Sequence, residues 1–452
     1  MVSGESSLKE RAARSIAGRL IDHGHQAFFA GGYVRDRLLY GTASGDIDIA
    51  TSASPQQISS LFGRVRGVGE HFGVMLVIEE GIAFEVATFR TDVGTRDGRH
   101  PERVEFTDAR HDALRRDFTI NALFLDPAAD TVIDYVGGRE DLDAGVVRAV
   151  GRADRRFRED YLRLLRAVRF AAQLRFRIDD ETWGALVACA DGIRSISPER
   201  IFQELQRMLT GADPARAVEL LHRSGLLGIV LPEVEATVGV EQPGEFHPEG
   251  DVFTHTVKAL GLLNRRLPVC AWAVLLHDIG KPPTFRRADR IRFDNHNRVG
   301  ASMAVAVLKR LRASSALIEN VRACVDNHMN FMHVRNMRLS TLRRLLARPT
   351  FDDELELHRV DCGASHGDLD NYRFLCEKHR EFAREGAKPR PLLRGRDLIG
   401  LGLKPGPIFG EILDAAYDLQ LERSIRTREE ALDAARRLAR ERAGGGDVSS
   451  EG

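Results

Sequence analysis

Apolar residues recur at helical spacing through residues 8–23, and Gly24 follows, so the pattern predicts an amphipathic helix that stops there. The next stretch changes period. AFFAGG (27–32), DIDIAT (46–51), VMLVIEE (74–80) and IAFEVATF (82–89) have the β-branched and aromatic content of strands. Turn signals at Gly41–Gly45 and Gly94–Gly98 punctuate this region. From about residue 155 to 440 the strand signal fades and helical periodicity replaces it. DYLRLLRAVRFAAQL (160–174), PERIFQELQRMLTG (198–211) and PARAVELLHRSGLL (214–227) all read as helices with arginine-rich polar faces. The second opens with Ser197-Pro198, an N-cap followed by proline at the first helical position. A Pro/Gly/Glu-rich stretch at 241–251 suggests a boundary. The pattern predicts an α+β chain in which a mixed sheet with helices precedes a mostly helical remainder. The expected divisions are 1–150, 151–240, 241–365, 366–440 and a disordered terminus at 441–452.

Composition narrows this picture. The 452 residues carry 66 Lys plus Arg and 66 Asp plus Glu, so the formal net charge is zero. A nucleic-acid binder with no net charge must segregate its charges. Local sequence agrees: residues 152–177 hold nine arginines, while 352–370 is acidic. The five cysteines form no CxxC pair, which argues against a disulfide framework or a cysteine zinc site. The N-terminal MVSGESSLKERAARS lacks the apolar run of a secretory signal, and no stretch approaches the ~20 apolar residues that span a bilayer. A cytoplasmic protein without a membrane partner is expected, and no obligate protein partner is evident.

Asp46 and Asp48 are two apart in a strand-like segment, so they share a face while Ile47 and Ile49 turn to the core. Converging carboxylates repel unless a cation lies between them, and hard cations such as Mg²⁺ take few carboxylates plus phosphate oxygens. A solvated strand end is the other reading, and the pair alone does not choose. Upstream, Gly31-Gly32 lies between an apolar strand and a helix and is followed by Arg35. Glycine there lets backbone N–H groups approach a triphosphate, and arginine pairs with phosphate. Downstream, Glu85 is the one charge in an apolar strand, where an unpaired charge would be costly. It is either a third metal-site carboxylate or a salt-bridged structural residue.

The segments GGYVRD (31–36), GDIDIATSA (45–53), RRDFTINAL (115–123) and EDYLRLLRAVRF (159–170), in this order, resemble the class II tRNA nucleotidyltransferase and bacterial poly(A) polymerase family, which includes the CCA-adding enzymes. The resemblance covers about the first 240 residues. It implies a nucleotidyltransferase head over 1–150, a helical neck and body over 151–240, and an RNA-binding helical tail over 366–440. It further implies that Asp46 and Asp48 bind Mg²⁺ with Glu85 as third carboxylate, and that Gly31, Gly32 and Arg35 meet the triphosphate. Arg116 would contact the nucleotide, with Asp117 and Asn121 near its sugar. Asp160 and Arg163 would read the base edge, and Arg166 and Arg169 would help place the triphosphate. An i,i+3 pair on a helix fits the base-reading role, because an acceptor-only carboxylate beside a fork of donors matches a mixed base edge. The polar segment 95–101 is similar to the family's flexible loop, although His100 stands where a second arginine is expected. The implied activity is addition of CCA to the tRNA 3′ end (acceptor and T-arm) from CTP and ATP. The alternatives are a poly(A) polymerase or one partner of a split CC-adding and A-adding pair.

His255, His277-Asp278, His296, His328 and Asp361 then follow in an order that resembles the HD phosphohydrolase superfamily. This implies a second divalent metal, of unknown identity, in an HD-like domain at 241–365. A reading of another class follows: a metal-dependent phosphohydrolase acting on RNA ends. The basic stretch from Arg152 suits RNA phosphates, and the turn at 400–407 offers free N–H groups.

Overall fold

The computed structural model describes residues 2–41, 45–69, 73–95, 101–244, 250–385 and 389–444. It divides into two compact units, one of residues 1–238 with 306–314 and one of residues 239–305 with 315–452.

The first unit is built on a seven-stranded mixed sheet. Its strands are β1 (Ala27–Ala30), β2 (Asp48–Thr51), β3 (Val65–Gly69), β4 (Val74–Glu79), β5 (Ile82–Thr88), β8 (Phe124–Asp126) and β9 (Thr131–Ile133), in the order β3-β4-β5-β2-β1-β8-β9. β6 (Arg90–Thr95) and β7 (Pro101–Phe106) form a separate antiparallel ribbon. Most of the 95–101 loop, residues 96–100 with His100, lies outside the described residues. β2 runs parallel to β5 and antiparallel to β1. Ile49, Val86 and Phe84 are buried on one face of the sheet, and the opening helix, Val2–Asp22, packs against β1, β2, β4 and β5. Phe28, Phe89 and Phe124 fill the other face with ring centroids 6.0–6.1 Å apart. That opening helix begins six residues earlier than its apolar pattern predicted, because polar first turns carry no periodic signal.

Helices Ala153–Glu159, Leu162–Leu174, Pro198–Leu209 and Pro214–Arg223 follow. Strand structure does not stop at 155, contrary to the sequence expectation. β10 (Val146–Val147) pairs with β11 (Arg177–Ile178), and β12 (Phe285–Arg287) pairs with β13 (Ile291–Phe293) in a hairpin. All four are two or three residues long, and β11, β12 and β13 carry arginine, so no period shows.

The second unit is helical apart from that hairpin. Val252–Gly261, Pro268–Leu276, Ser315–Asn327 and Phe351–Ala364 pack on one another, and Trp272 is fully buried. A further cluster joins Phe331, Leu342, Phe351, Leu375 and Phe382, and another joins Leu398, Ile412 and Ala434. The final helix, Arg428–Gly444, runs through the start of the segment expected to be disordered, and residues 445–452 lie outside the described residues. No described helix is long and apolar enough to cross a membrane.

Candidate functional site

β2 begins at Asp48, so Asp46 lies just before the strand rather than in it. The β1–β2 register sets Asp48 opposite Ala30, directly before Gly31-Gly32. Gly31 adopts φ +70°, which favours glycine. A Cβ there would lie 3.3 Å from Arg116 Nη1 and 3.9 Å from Asp48 Oδ2, so this turn sits between the arginine and the carboxylate. The parallel β2–β5 register pairs Ile49 with Val86, which brings Glu85 alongside Asp48. Glu85 is exposed, so the cost of burying a charge does not explain it; its place beside Asp48 on the neighbouring strand does. Desolvation at the strand edge, and then the Glu85 charge, push the Asp48 carboxyl up to about 6, while Arg116 pulls the other way. Asp46 is open to solvent and pairs with Lys9 Nζ at 2.7 Å.

Behind these carboxylates lies a buried polar network. Asp117 accepts from Arg166 Nε at 2.7 Å and from Asn121 Nδ2 at 3.2 Å. Asn121 Oδ1 accepts from Arg35 Nη1 at 2.7 Å. Burial pushes Asp117 up, but the Arg166 charge and hydrogen bond outweigh it and hold it below the usual carboxylate range. Arg35 is buried and also pairs with Asp36, so it holds Asn121 rather than projecting from the surface. Arg116 is clamped by Asp112, and Arg169 by Glu204 at 2.6 Å.

Asp160 and Arg163 do not form the helical pair that their spacing predicted. Asp160 is extended (φ −153°) at the break between helices Ala153–Glu159 and Leu162–Leu174, and its Oδ1 accepts from Leu162 N–H. Its carboxylate pairs with Arg200 at 2.7 Å, and Arg163 pairs with Glu159 at 2.7 Å. Sequence reasoning missed Arg200, Glu204, Glu159 and Asp112. Arg200 and Glu204 are four apart on one helix, and a polar pair recurring on an otherwise apolar face was the available signal.

In the second unit the structure gathers all of the expected histidine-block residues. His255, His277 and Asp361 form one set of potential ligand atoms within 4.8 Å of one another, and Asp278, His296 and His328 form another. His277 Nε2 lies 3.2 Å from Asp278, His255 Nε2 lies 3.1 Å from Asp361, and His296 and His328 approach at 3.2 Å. The Nδ1 atoms of His277, His296 and His328 lie 2.7–2.9 Å from the carbonyls of Val274, Phe293 and Val325. An Nδ1–H donating to a carbonyl leaves the Nε2 lone pair for a metal, and here those Nε2 atoms face the cluster. Burial, with His277 and His296 alongside, pushes His328 down to about 4. Burial opposes ionisation of Asp278, but His277 and Lys281 outweigh it and hold it well below the usual range. Lys281, whose Nζ is 2.7 Å from Asp278, is a member of this site that sequence reasoning did not single out.

Known proteins match the chain over both regions. Residues 27–148 match the family model described as the poly(A) polymerase head domain, 175–237 that of the probable RNA and SrmB-binding site of polymerase A, and 252–355 that of the HD domain. The crystal structure of the Bacillus stearothermophilus CCA-adding enzyme in complex with CTP superposes with a TM-score of 0.76 at 28% identity, covering 96% of this chain and 98% of that one. Three successive segments of the chain thus resemble the poly(A) polymerase and CCA-adding enzyme family. Among curated relatives, the CCA-adding enzyme of Geobacillus kaustophilus is 45% identical over 227 residues, 50% of this chain and 55% of the relative. That of Bacillus subtilis is 37% identical over 262 residues, 58% and 62%. These alignments therefore span little more than half the length of the curated relatives. The Thermotoga maritima CCA-adding enzyme, at 19% identity and a TM-score of 0.60, shares the fold. The likeness takes in the mixed head sheet, the helical regions after it and the HD block together.

Proposed function

We propose that this protein adds CCA to the 3′ end of tRNA from CTP and ATP, in the cytoplasm. The observation that carries the reading is Asp48 beside Glu85 on adjacent parallel strands, with the Gly31-Gly32 turn against Asp48 on the other side. Relatives named as CCA-adding enzymes, one of them with CTP bound, support the choice of product. The three hard oxygen donors Asp46, Asp48 and Glu85 fit Mg²⁺. Bound Mg²⁺ would neutralise triphosphate charge and activate the 3′-hydroxyl. In the reaction the RNA 3′-oxygen bonds to the α-phosphorus, the bond from that phosphorus to the bridging oxygen breaks, and pyrophosphate and a proton are released. The chain's own part is positioning. The turn at Gly32 offers N–H groups to the triphosphate at a helix N-terminus, and Arg116 lies beside it. The Arg166–Asp117–Asn121–Arg35 network fixes the floor near the sugar. Asp160 and Arg163, on leaving Arg200 and Glu159, present an acceptor and a donor fork to the base. Arg169 supports the same face from its pair with Glu204.

The test is product length on tRNA lacking CCA, with CTP alone, ATP alone and both. Two residues from CTP alone and three from the mixture support the reading. A long ladder from ATP alone would replace it with poly(A) synthesis, and a single added A with the split-pair reading. Asp46→Ala is expected to abolish every product.

The buried histidine cluster favours a second activity at a second site: hydrolysis of phosphate esters at RNA ends, such as 2′,3′-cyclic phosphates. Its mixed nitrogen and oxygen donors fit a transition metal better than Mg²⁺, and such a metal would supply an activated water.

A further inference from the structure

The hairpin of β12 and β13 is not explained by packing. Residues 285–293 carry four arginines (Arg286, Arg287, Arg290, Arg292) and one acid, Asp289. All of β12 is exposed, and the ring contact of Phe285 with Phe293 (5.9 Å) closes the ladder. The register sets Arg286 directly opposite Arg292. Like charges directly opposed destabilise a strand pair, so this arrangement costs stability unless an anion lies against it. Arg292 pairs with Asp289 at 2.9 Å, and Arg287 pairs with Glu241. Arg286 and Arg290 have no carboxylate partner among the described residues.

The hairpin is also tied to the histidine cluster. The Phe293 carbonyl accepts from His296 Nδ1 at 2.9 Å, and Lys281 Nζ lies 5.4 Å from the Phe293 ring. Lys281 donates to Gln242 Oε1 at 2.6 Å and lies 2.7 Å from Asp278. Gln242 and Phe293 in turn line a cavity of about 690 Å³ whose wall includes Gly244, Arg290 and Arg292, with Asp294 as its acid. The cavity therefore shares its lining with the second contact layer of the cluster.

We propose that this hairpin and cavity bind the phosphate backbone of an RNA chain whose end is processed at the histidine cluster, so that the site takes polymeric RNA in preference to a cyclic mononucleotide. The inference rests on the hydrolase reading of the cluster. Arginine is suited to the task because its planar fork meets phosphate oxygens in pairs. A single nucleotide reaches the cluster without spanning the hairpin, whereas a chain places further phosphates along Arg286, Arg290 and Arg292.

The test compares the full chain with R286E/R290E and the milder R286Q/R290Q, on tRNA ending in a 2′,3′-cyclic phosphate and on 2′,3′-cyclic AMP. KM for the RNA is expected to rise about tenfold or more in the charge reversal and less in the neutral variant, with kcat nearly constant. The dependence of log KM on log salt should become shallower by about 1 for each phosphate contact removed. Hydrolysis of cyclic AMP and nucleotide addition to tRNA should stay unchanged. An unchanged KM for RNA in both variants overturns the proposal and leaves the hydrolase reading standing. Equal losses on RNA and cyclic AMP also overturn it, because the hairpin would then be supporting the cluster. No hydrolysis by the unaltered chain with Mg²⁺, Mn²⁺ or Ni²⁺ removes the hydrolase reading and this inference with it.

Discussion

The carboxylates of the head sheet stand open at a strand edge, and their ligand atoms are not drawn together. The histidine cluster, in contrast, brings ligands from five separate segments into a buried knot. Among the described residues, sets of three potential ligand atoms within 4.8 Å occur only in that cluster. On the proposed reading, the difference follows from what each site would handle. A hard cation that works on a triphosphate takes part of its shell from the substrate, so the protein supplies a few oxygens and leaves the rest open. A metal that activates water for hydrolysis is held by the chain itself, and the imidazoles are set in advance by carbonyls behind them.

The sharpest way to break this comparison is a pair of single substitutions. Asp48→Ala is expected to lower nucleotide addition by roughly three orders of magnitude while cyclic phosphodiesterase activity persists. His277→Ala should do the reverse and also lower tightly bound transition metal, measured by elemental analysis. If either substitution removed both activities, the two sites would not be independent.

A smaller effect tests the claim that the cluster is built in advance. A Cβ at Gly280 would lie 2.1 Å from the His296 carbonyl oxygen and 2.6 Å from Gly300 N. Gly280 has an ordinary φ of −79°, so the constraint is the close approach of two backbones and not the conformation. Gly280→Ala should shift the start of the His296 helix and weaken metal binding about 10- to 100-fold, read by competition with a chelator. Unaltered metal affinity would mean the cluster tolerates movement.

The two sites should also respond to acid with opposite signs in chelator-treated protein. The Asp48 carboxyl is raised to about 6, so the folded state holds its proton longer than the unfolded state. Its contribution to stability is present below the ordinary carboxylate range and is lost as pH rises to about 6. His328 is lowered to about 4, so its contribution is present at neutral pH and is lost as pH falls from 6.5 towards 4. Thermal unfolding between pH 4 and 7 should show Asp48→Asn stabilised above pH 6 and His328→Asn flattened on the acid side. A common sign for both variants would contradict the raised Asp48 carboxyl and the lowered His328 imidazole.

The smallest effect belongs to Lys9. Its pair with the exposed Asp46 is a surface salt bridge, worth about 0–1 kcal/mol, so Lys9→Ala should leave the melting temperature almost unchanged. A large drop would show that the opening helix depends on Asp46.

How far these sites could be read in advance depends on the distance over which their residues are related. Asp46, Asp48 and the glycine pair were legible because strand alternation and a strand-to-helix turn are local matters. The gathering of His255 with Asp361 was legible only as a resemblance, since more than one hundred residues separate them and no period spans that gap. Asp160 and Arg163 were misplaced by the same local logic. Their spacing of three fits a helix, but Asp160 spends its carboxylate on the Leu162 N–H and on Arg200, and the helix breaks there.

By itself, then, the sequence determined the strand and helix periods, the segregation of arginine and acid, and the residue types able to hold metal and phosphate, because each of these is written within a few consecutive positions. Tertiary structure alone decided that Glu85 lies beside Asp48, that Arg35 is buried against Asn121, and that an arginine hairpin stands next to the histidine cluster. Strand register and helix packing set those neighbours, and both are settled by which apolar faces bury together rather than by any short run of the chain.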